Sequence, residues 1–189
     1  VEAKILMIAV ICAVAVVFTA LGERAEAAAA AEPGKILIVC YSYSGNTRAV
    51  AEQIQKATGG ELFEIKPAKA YPADYNACVE QAKKECADGF KPQLAGALPD
   101  LSKYDVVFVG TPNWWGTMAP PVLSFLSVGN LAGKTVIPFV THGGGGVQRC
   151  EADIRKAAPK STFEKTGVFS GHGGSTVTGW INEVVTTKK

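Results

Sequence analysis

From Lys35 onward, apolar runs and helical periodicities take turns along the chain. Lys35 to Tyr41 (KILIVCY) is almost unbroken apolar sequence, as expected of a strand covered on both faces. Thr47 to Thr58 then carries Val50, Ala51, Ile54 and Ala57 at helical spacing and closes on Gly59-Gly60. A short strand over 61–65 and a helix over 74–86 follow, with Asp74 as its cap after Pro72. Next come a buried strand over 104–110 and a helix starting at Pro120 and running through Phe125. A fourth strand over 135–140, a helix over 147–158, a weaker strand over 163–169 and a helix over 175–185 complete the pattern. Five strands alternating with five helices predict an α/β fold: a doubly wound, five-stranded parallel sheet with helices on both faces. In such sheets ligands sit beyond the carboxyl ends of the strands, so the loops after strands one, three and four are the places to look.

The first 34 residues follow another pattern. Ile5 to Gly22 holds no charge, with Lys4 before it and Glu23-Arg24 after it. This reads as a secretory signal with Ala25-Glu26-Ala27 as an A-x-A cleavage site. The expected organisation is a signal peptide over 1–27, a linker over 28–34 and one folded domain over 35–189. The alternative is an uncleaved anchor, because the apolar run sits at the lower edge of bilayer-spanning length. Either way the domain is expected outside the cytoplasmic membrane: periplasmic, extracellular or anchored facing outward.

Composition narrows the classes. With 48% hydrophobic and 19% charged residues the chain is not a disordered one, and no run of like charges offers nucleic acid a polybasic surface. Removing 1–27 takes two of 19 basic and three of 17 acidic residues, leaving 17 against 14, a net charge of +3. Outside that segment stand Cys40, Cys78, Cys86 and Cys150, with no C-x-x-C pair to signal a zinc or thioredoxin-type site. Cys78 and Cys86 fall about 12 Å apart along one helix, too far for a disulfide, so free thiols are expected.

The three loops carry the chemistry. The first, Ser42-Tyr43-Ser44-Gly45-Asn46-Thr47, puts hydroxyls, an amide and a glycine at the start of a helix, where unpaired N–H groups suit a phosphate. One such residue serves as a cap; four polar ones and a glycine exceed that need. The second, Thr111-Pro112-Asn113-Trp114-Trp115-Gly116-Thr117, sets two tryptophans after a buried strand, one expected to pack inward and the other against a flat ligand. The third, Thr141-His142-Gly143-Gly144 with two further glycines, lets backbone approach a ligand closely. No G-x-x-x-x-G-K-[ST] is present, Cys40 and Arg48 lack phosphatase spacing, and neither glycine cluster completes a G-x-G-x-x-G after the first strand. A phosphorylated planar heterocycle fits all three loops.

Tyr41-Ser42-Tyr43-Ser44-Gly45-Asn46-Thr47, Pro112-Asn113-Trp114-Trp115-Gly116 and Thr141-His142-Gly143-Gly144 resemble the FMN-binding loops of the flavodoxin family, over roughly 35–180. The resemblance implies strand order 2-1-3-4-5 and noncovalent FMN. It implies the phosphate on Ser42, Ser44, Gly45, Asn46 and Thr47, and the ring against Trp114 or Trp115, edged by Thr141 to Gly144. It also implies a glycine peptide, here Trp115-Gly116, that turns its carbonyl toward the ring on reduction. Two features depart from the family: the third loop has no aromatic except His142, and the net charge is positive rather than strongly acidic. The first leaves a ring face open; the second should make the low potential less extreme, since negative charge on the reduced ring meets fewer carboxylates. Two functions follow: a one- or two-electron shuttle between redox proteins, favoured by the small size, or an FMN-dependent NAD(P)H:quinone-type oxidoreductase acting on a small redox substrate.

Overall fold

The computed structural model describes residues 35–186; the expected signal segment 1–27 and linker 28–34 lie outside them. The chain forms β1 (Ile36–Cys40), α1 (Asn46–Thr58), β2 (Glu61–Glu64), α2 (Tyr75–Asp88), β3 (Val106–Trp114), β4 (Thr117–Met118) and α3 (Pro120–Val128). It continues through β5 (Thr135–His142), α4 (Cys150–Ala157), β6 (Thr162–Phe163), β7 (Gly167–Ser170) and α5 (Ser175–Thr186).

The main sheet is parallel and ordered β2-β1-β3-β5, with β6 and β7 both pairing with β5. Counting β6 and β7 as two pieces of one edge strand gives the expected order 2-1-3-4-5. The break has a local cause. Glu164 still donates its N–H to Val136, but the Lys165 carbonyl turns out of the ladder to accept the Trp180 indole N–H at 3.0 Å.

Strand residues alternate between two cores, as period-two geometry requires. Leu37, Val39, Val107, Val109 and Val136 pack with Cys78, Val122, Phe125, Leu126 and Ile154, from α2, α3 and α4. Ile38, Cys40, Phe108, Ile137 and Phe139 pack with Val50, Ala51 and Ile54 of α1 and Val177, Trp180, Ile181 and Val184 of α5. Burial on both faces explains why β1, β3 and β5 read as unbroken apolar runs. The helix ends follow from sequence: Asp74 accepts the Ala77 N–H at 2.8 Å, left-handed Gly59 and Gly89 close α1 and α2, and Pro120-Pro121 opens α3.

Two further elements differ from expectation. β3 runs to Trp114 rather than Gly110, because Asn113 and Trp114 pair antiparallel with Met118 and Thr117. α4 starts at Cys150 rather than Val147, because Gln148 takes a left-handed φ of 42° that ends the glycine loop and not the first helical turn.

The four cysteines in the described residues are free; Cys40, Cys78 and Cys150 are buried and Cys86 is half-buried. Burial, reinforced by Glu64 and Asp153 respectively, pushes the Cys40 and Cys150 thiols up to about 12. Burial and then Glu85 push Cys86 up to about 11. At pH 8 a thiol of pKa about 11 is roughly 0.1% thiolate, so alkylation is slow even where access allows it. Iodoacetamide at pH 8, read by peptide mass mapping, should leave these three thiols unlabelled in the folded chain and label them all in urea. Fast labelling of Cys40 would contradict its place in a buried central strand.

Candidate functional site

The carboxyl ends of β1, β3 and β5 bring the three loops together. After β1, α1 starts on Gly45, at a φ of 88°, with no side-chain cap. Among the described residues no protein acceptor takes the backbone N–H groups of Ser44, Gly45, Asn46 and Thr47. Ser42 Oγ accepts the next one, Arg48 N–H, at 3.2 Å. A Cβ at Gly45 would meet nothing within 4 Å, so the cradle is open on its outer side. Unpaired N–H groups at a helix start carry partial positive charge and suit an anion.

Two hydroxyls fasten this loop to the third one. Thr47 Oγ1 and Thr141 Oγ1 lie 2.8 Å apart and both residues are buried, so the start of α1 is fixed beside the end of β5. His142 follows, and its Nδ1 accepts the Gly144 N–H at 3.0 Å, folding the glycine run back on itself. Only Gly144 (φ 124°) and Gly146 (φ 69°) of that run need positive φ.

The second loop is a tight hairpin rather than an open connection. Trp115 (φ 52°) and Gly116 (φ 82°) are both left-handed between paired Trp114 and Thr117, the signature of a type I′ turn. A left-handed tryptophan costs about 1–2 kcal/mol. Its indole N–H donates to the Val79 carbonyl on α2 at 3.1 Å, and Lys83 Nζ lies 5.2 Å from the ring centroid, which offsets that cost. Asn113 locks the turn twice, accepting the Gly116 N–H at 2.9 Å and donating to the Gly146 carbonyl at 2.7 Å. The Gly116 carbonyl accepts the Arg149 N–H at 2.9 Å.

The Trp115-Gly116 peptide, expected to turn over cheaply, is therefore held. Inverting it would break the bond to Asn113 and put Trp115 in the turn position that a type II′ hairpin reserves for glycine.

The two tryptophans part ways, because Trp114 ends the strand and Trp115 opens the left-handed turn. Trp114 points inward and meets Tyr71, Tyr41 and Tyr43 edge-to-face, at centroid distances of 4.9, 5.5 and 6.0 Å. Trp115 is 50% exposed. It stands between two clefts. One, of about 390 Å³, is lined by Asn113, Trp115, Gly116, His142, Gly143, Gly145 and Gln148. The other, of about 320 Å³, lies toward α2 and is walled by Tyr43, Tyr75, Trp114 and Trp115.

Several of the residues expected at the site spend their side chains elsewhere. Tyr43 donates its hydroxyl to the Pro72 carbonyl at 2.7 Å and faces the aromatic cluster, not the helix start. Buried Thr111 accepts the Ala119 N–H at 2.9 Å and donates to its neighbour Pro112, so it shapes the entry to α3. Thr117 donates to Asp153 of α4 at 2.5 Å, on the far side of the hairpin. Gly145, one of the two further glycines of the third loop, lines the cleft as that loop was expected to, whereas Gln148 joins it unannounced.

The family model for flavodoxin matches residues 35–184. The chain belongs to the flavodoxin family. A solved structure from Bacteroides uniformis, provisionally classed as a flavoprotein, shares 32% identity at a TM-score of 0.73, over 80% of this chain and 99% of its own. A Lactobacillus acidophilus flavoprotein solved in complex with FMN shares 25% identity at a TM-score of 0.64, over 78% of this chain and 98% of its own. An NAD(P)H dehydrogenase (quinone) of Cupriavidus metallidurans is 30% identical over 95 residues, which is 49% of this chain and 45% of that protein. The chain thus spans about half the length of that curated relative.

Proposed function

We propose that this flavodoxin-family chain binds FMN noncovalently and carries electrons between redox partners. The observation that carries the reading is the uncapped start of α1, where four consecutive N–H groups have no protein acceptor beside a cleft that can take a ring. The residues fit the cofactor. The N–H groups of Ser44 to Thr47, with the Ser42 and Ser44 hydroxyls and the Asn46 amide, hold the phosphate. The ring would occupy the cleft between the second and third loops, flanked by Trp115 and edged by Asn113, Gly116, His142, Gly143, Gly145 and Gln148. FMN supplies the redox chemistry.

The chain positions the ring and sets its surroundings. Asn113, bonded to both loops, fixes the distance between the cleft walls. The cleft lining holds no carboxylate, so negative charge gained by the ring meets no like charge at close range. Three of the seven lining residues are glycines and Trp115 is exposed, which suits electron exchange at an open edge.

A second reading, an NAD(P)H:quinone-type oxidoreductase, draws on the aromatic cleft on the α2 side of Trp115 and on the partial likeness to the Cupriavidus dehydrogenase. Two assays on the FMN-loaded protein separate the readings. A carrier, once photoreduced without oxygen, should reduce cytochrome c rapidly, while its steady-state oxidation of NAD(P)H with benzoquinone stays below about 0.1 per second, under the usual enzymatic range. Sustained turnover above about 1 per second establishes the enzyme instead. The charge-free run Ile5 to Gly22 and the A-x-A site at 25–27 support a place outside the cytoplasmic membrane, and the mass of the exported chain should then correspond to a start at Ala28.

A further inference from the structure

The loop after β7, Gly171-His172-Gly173-Gly174, belongs to none of the three loops above, yet the fold delivers it to the same place. It is built rigidly: Gly171 (φ 55°), Gly173 (φ 74°) and Gly174 (φ 56°) are all left-handed, and a Cβ on Gly173 would lie 2.4 Å from Val177 Cγ2. It is tied to its neighbours on two sides. The Gly171 N–H donates to the His142 carbonyl of the third loop at 3.1 Å. Gln53 of α1 donates to the His172 carbonyl at 3.0 Å and to the Ala49 carbonyl at 3.1 Å, clamping the loop to the first turns of the helix. From this base the His172 side chain reaches the helix start, where its Nδ1 lies 2.8 Å from Asn46 Oδ1.

That contact decides what Asn46 can offer. An asparagine amide has one accepting oxygen and one donating nitrogen on opposite sides of the same group. Donation from His172 Nδ1–H occupies the oxygen and fixes the rotamer, so the Asn46 amide N–H groups point away from His172. Asn46 itself carries one of the unpaired backbone N–H groups of the helix start, so an amide fixed in this way stays at that start. Without His172, the amide would turn freely and present its oxygen to an anion for part of the time, which repels it.

We infer that His172 is a positioning residue for the FMN phosphate: by holding Asn46 Oδ1 it turns the Asn46 amide into a fixed phosphate donor. This rests on the FMN reading above and adds a fourth loop to that site. The effect belongs to the phosphate end, so it should be visible with FMN and invisible with riboflavin, which has the same ring and no phosphate.

The test is titration of the flavin-freed full chain with FMN and, separately, with riboflavin, followed by quenching of flavin fluorescence. His172→Ala should weaken FMN about tenfold, the size of one hydrogen bond to a charged group made less often, and leave riboflavin within about twofold. His172→Asn, whose amide nitrogen can take the place of Nδ1, should recover FMN binding to within about threefold. In the Asn46→Ala background, adding His172→Ala should change FMN affinity by less than about twofold, because the group through which His172 acts is gone. The inference is overturned if His172→Ala weakens both flavins equally, which marks a structural role only, or weakens neither. It is also overturned if the Asn46→Ala and His172→Ala losses simply add. A parent chain that binds riboflavin and FMN alike, or binds neither, removes the FMN reading itself.

Discussion

Ser44→Asp is expected to weaken FMN binding about a hundredfold while leaving the fold and riboflavin binding nearly unchanged. Ser44 is exposed and immediately precedes left-handed Gly45, and no neighbouring side chain depends on its hydroxyl, so the substitution costs the folded chain little. Beside a bound phosphate monoester of charge near −2, a carboxylate at 5–6 Å in a half-solvated site costs about 3 kcal/mol, which is roughly a hundredfold in affinity. The penalty should shrink as salt rises, because the site is open and a Debye length at 0.15 M is only about 8 Å. Calorimetric titrations with both flavins at two ionic strengths supply the check. A loss of less than about threefold for FMN would mean that the phosphate sits elsewhere.

Gly110→Val should be the most damaging single substitution to stability among those that touch no ligand. Gly110 lies opposite Phe139 on the neighbouring strand, and the Phe139 ring folds over the space where a side chain would be. A Cβ there would stand 2.1 Å from the ring's Cζ, and the ring is fully buried between α1, α5 and the sheet. With no flexible end to move aside, the ring must leave its rotamer or the strands must part. Overpacking of this kind costs about 3 kcal/mol, which lowers the melting temperature by roughly 6–12 °C in a domain of this size. Phe139→Leu added to Gly110→Val should restore part of the loss, since it removes ring atoms from the point of conflict. A melting temperature unchanged in the single variant would contradict the packing.

The features that the sequence made legible are those with a period or a punctuation mark. Residues buried on both faces of β1, β3 and β5 announce a parallel sheet, and Asp74 and Gly59 mark helix ends where the fold places them. The first loop is readable because it offers more polar groups than a cap can use. The hairpin at Trp115-Gly116 was hidden: its turn wants glycine or asparagine at both central positions, and a tryptophan is stabilised there only by Val79 and Lys83, thirty or more residues away in the chain. The direction of each tryptophan was hidden for the same reason, since it depends on strand register and on the tyrosines that gather around Trp114. His172 was out of reach altogether. Its partner Asn46 is 126 residues distant, and only the closing of the sheet by β7 brings the two together.

The central claim is that the uncapped start of α1 holds the phosphate of FMN, and backbone amide NMR tests it most directly. Adding one equivalent of FMN to the flavin-freed, nitrogen-15-labelled full chain should shift the amide signals of Ser44, Gly45, Asn46 and Thr47 strongly downfield and slow their exchange with water. Riboflavin should move the signals of Gly116, Gly143 and Gly145 but not those four. If the four amides stay in place with FMN, or respond to riboflavin as they do to FMN, the phosphate is not held there and the account of the site is wrong.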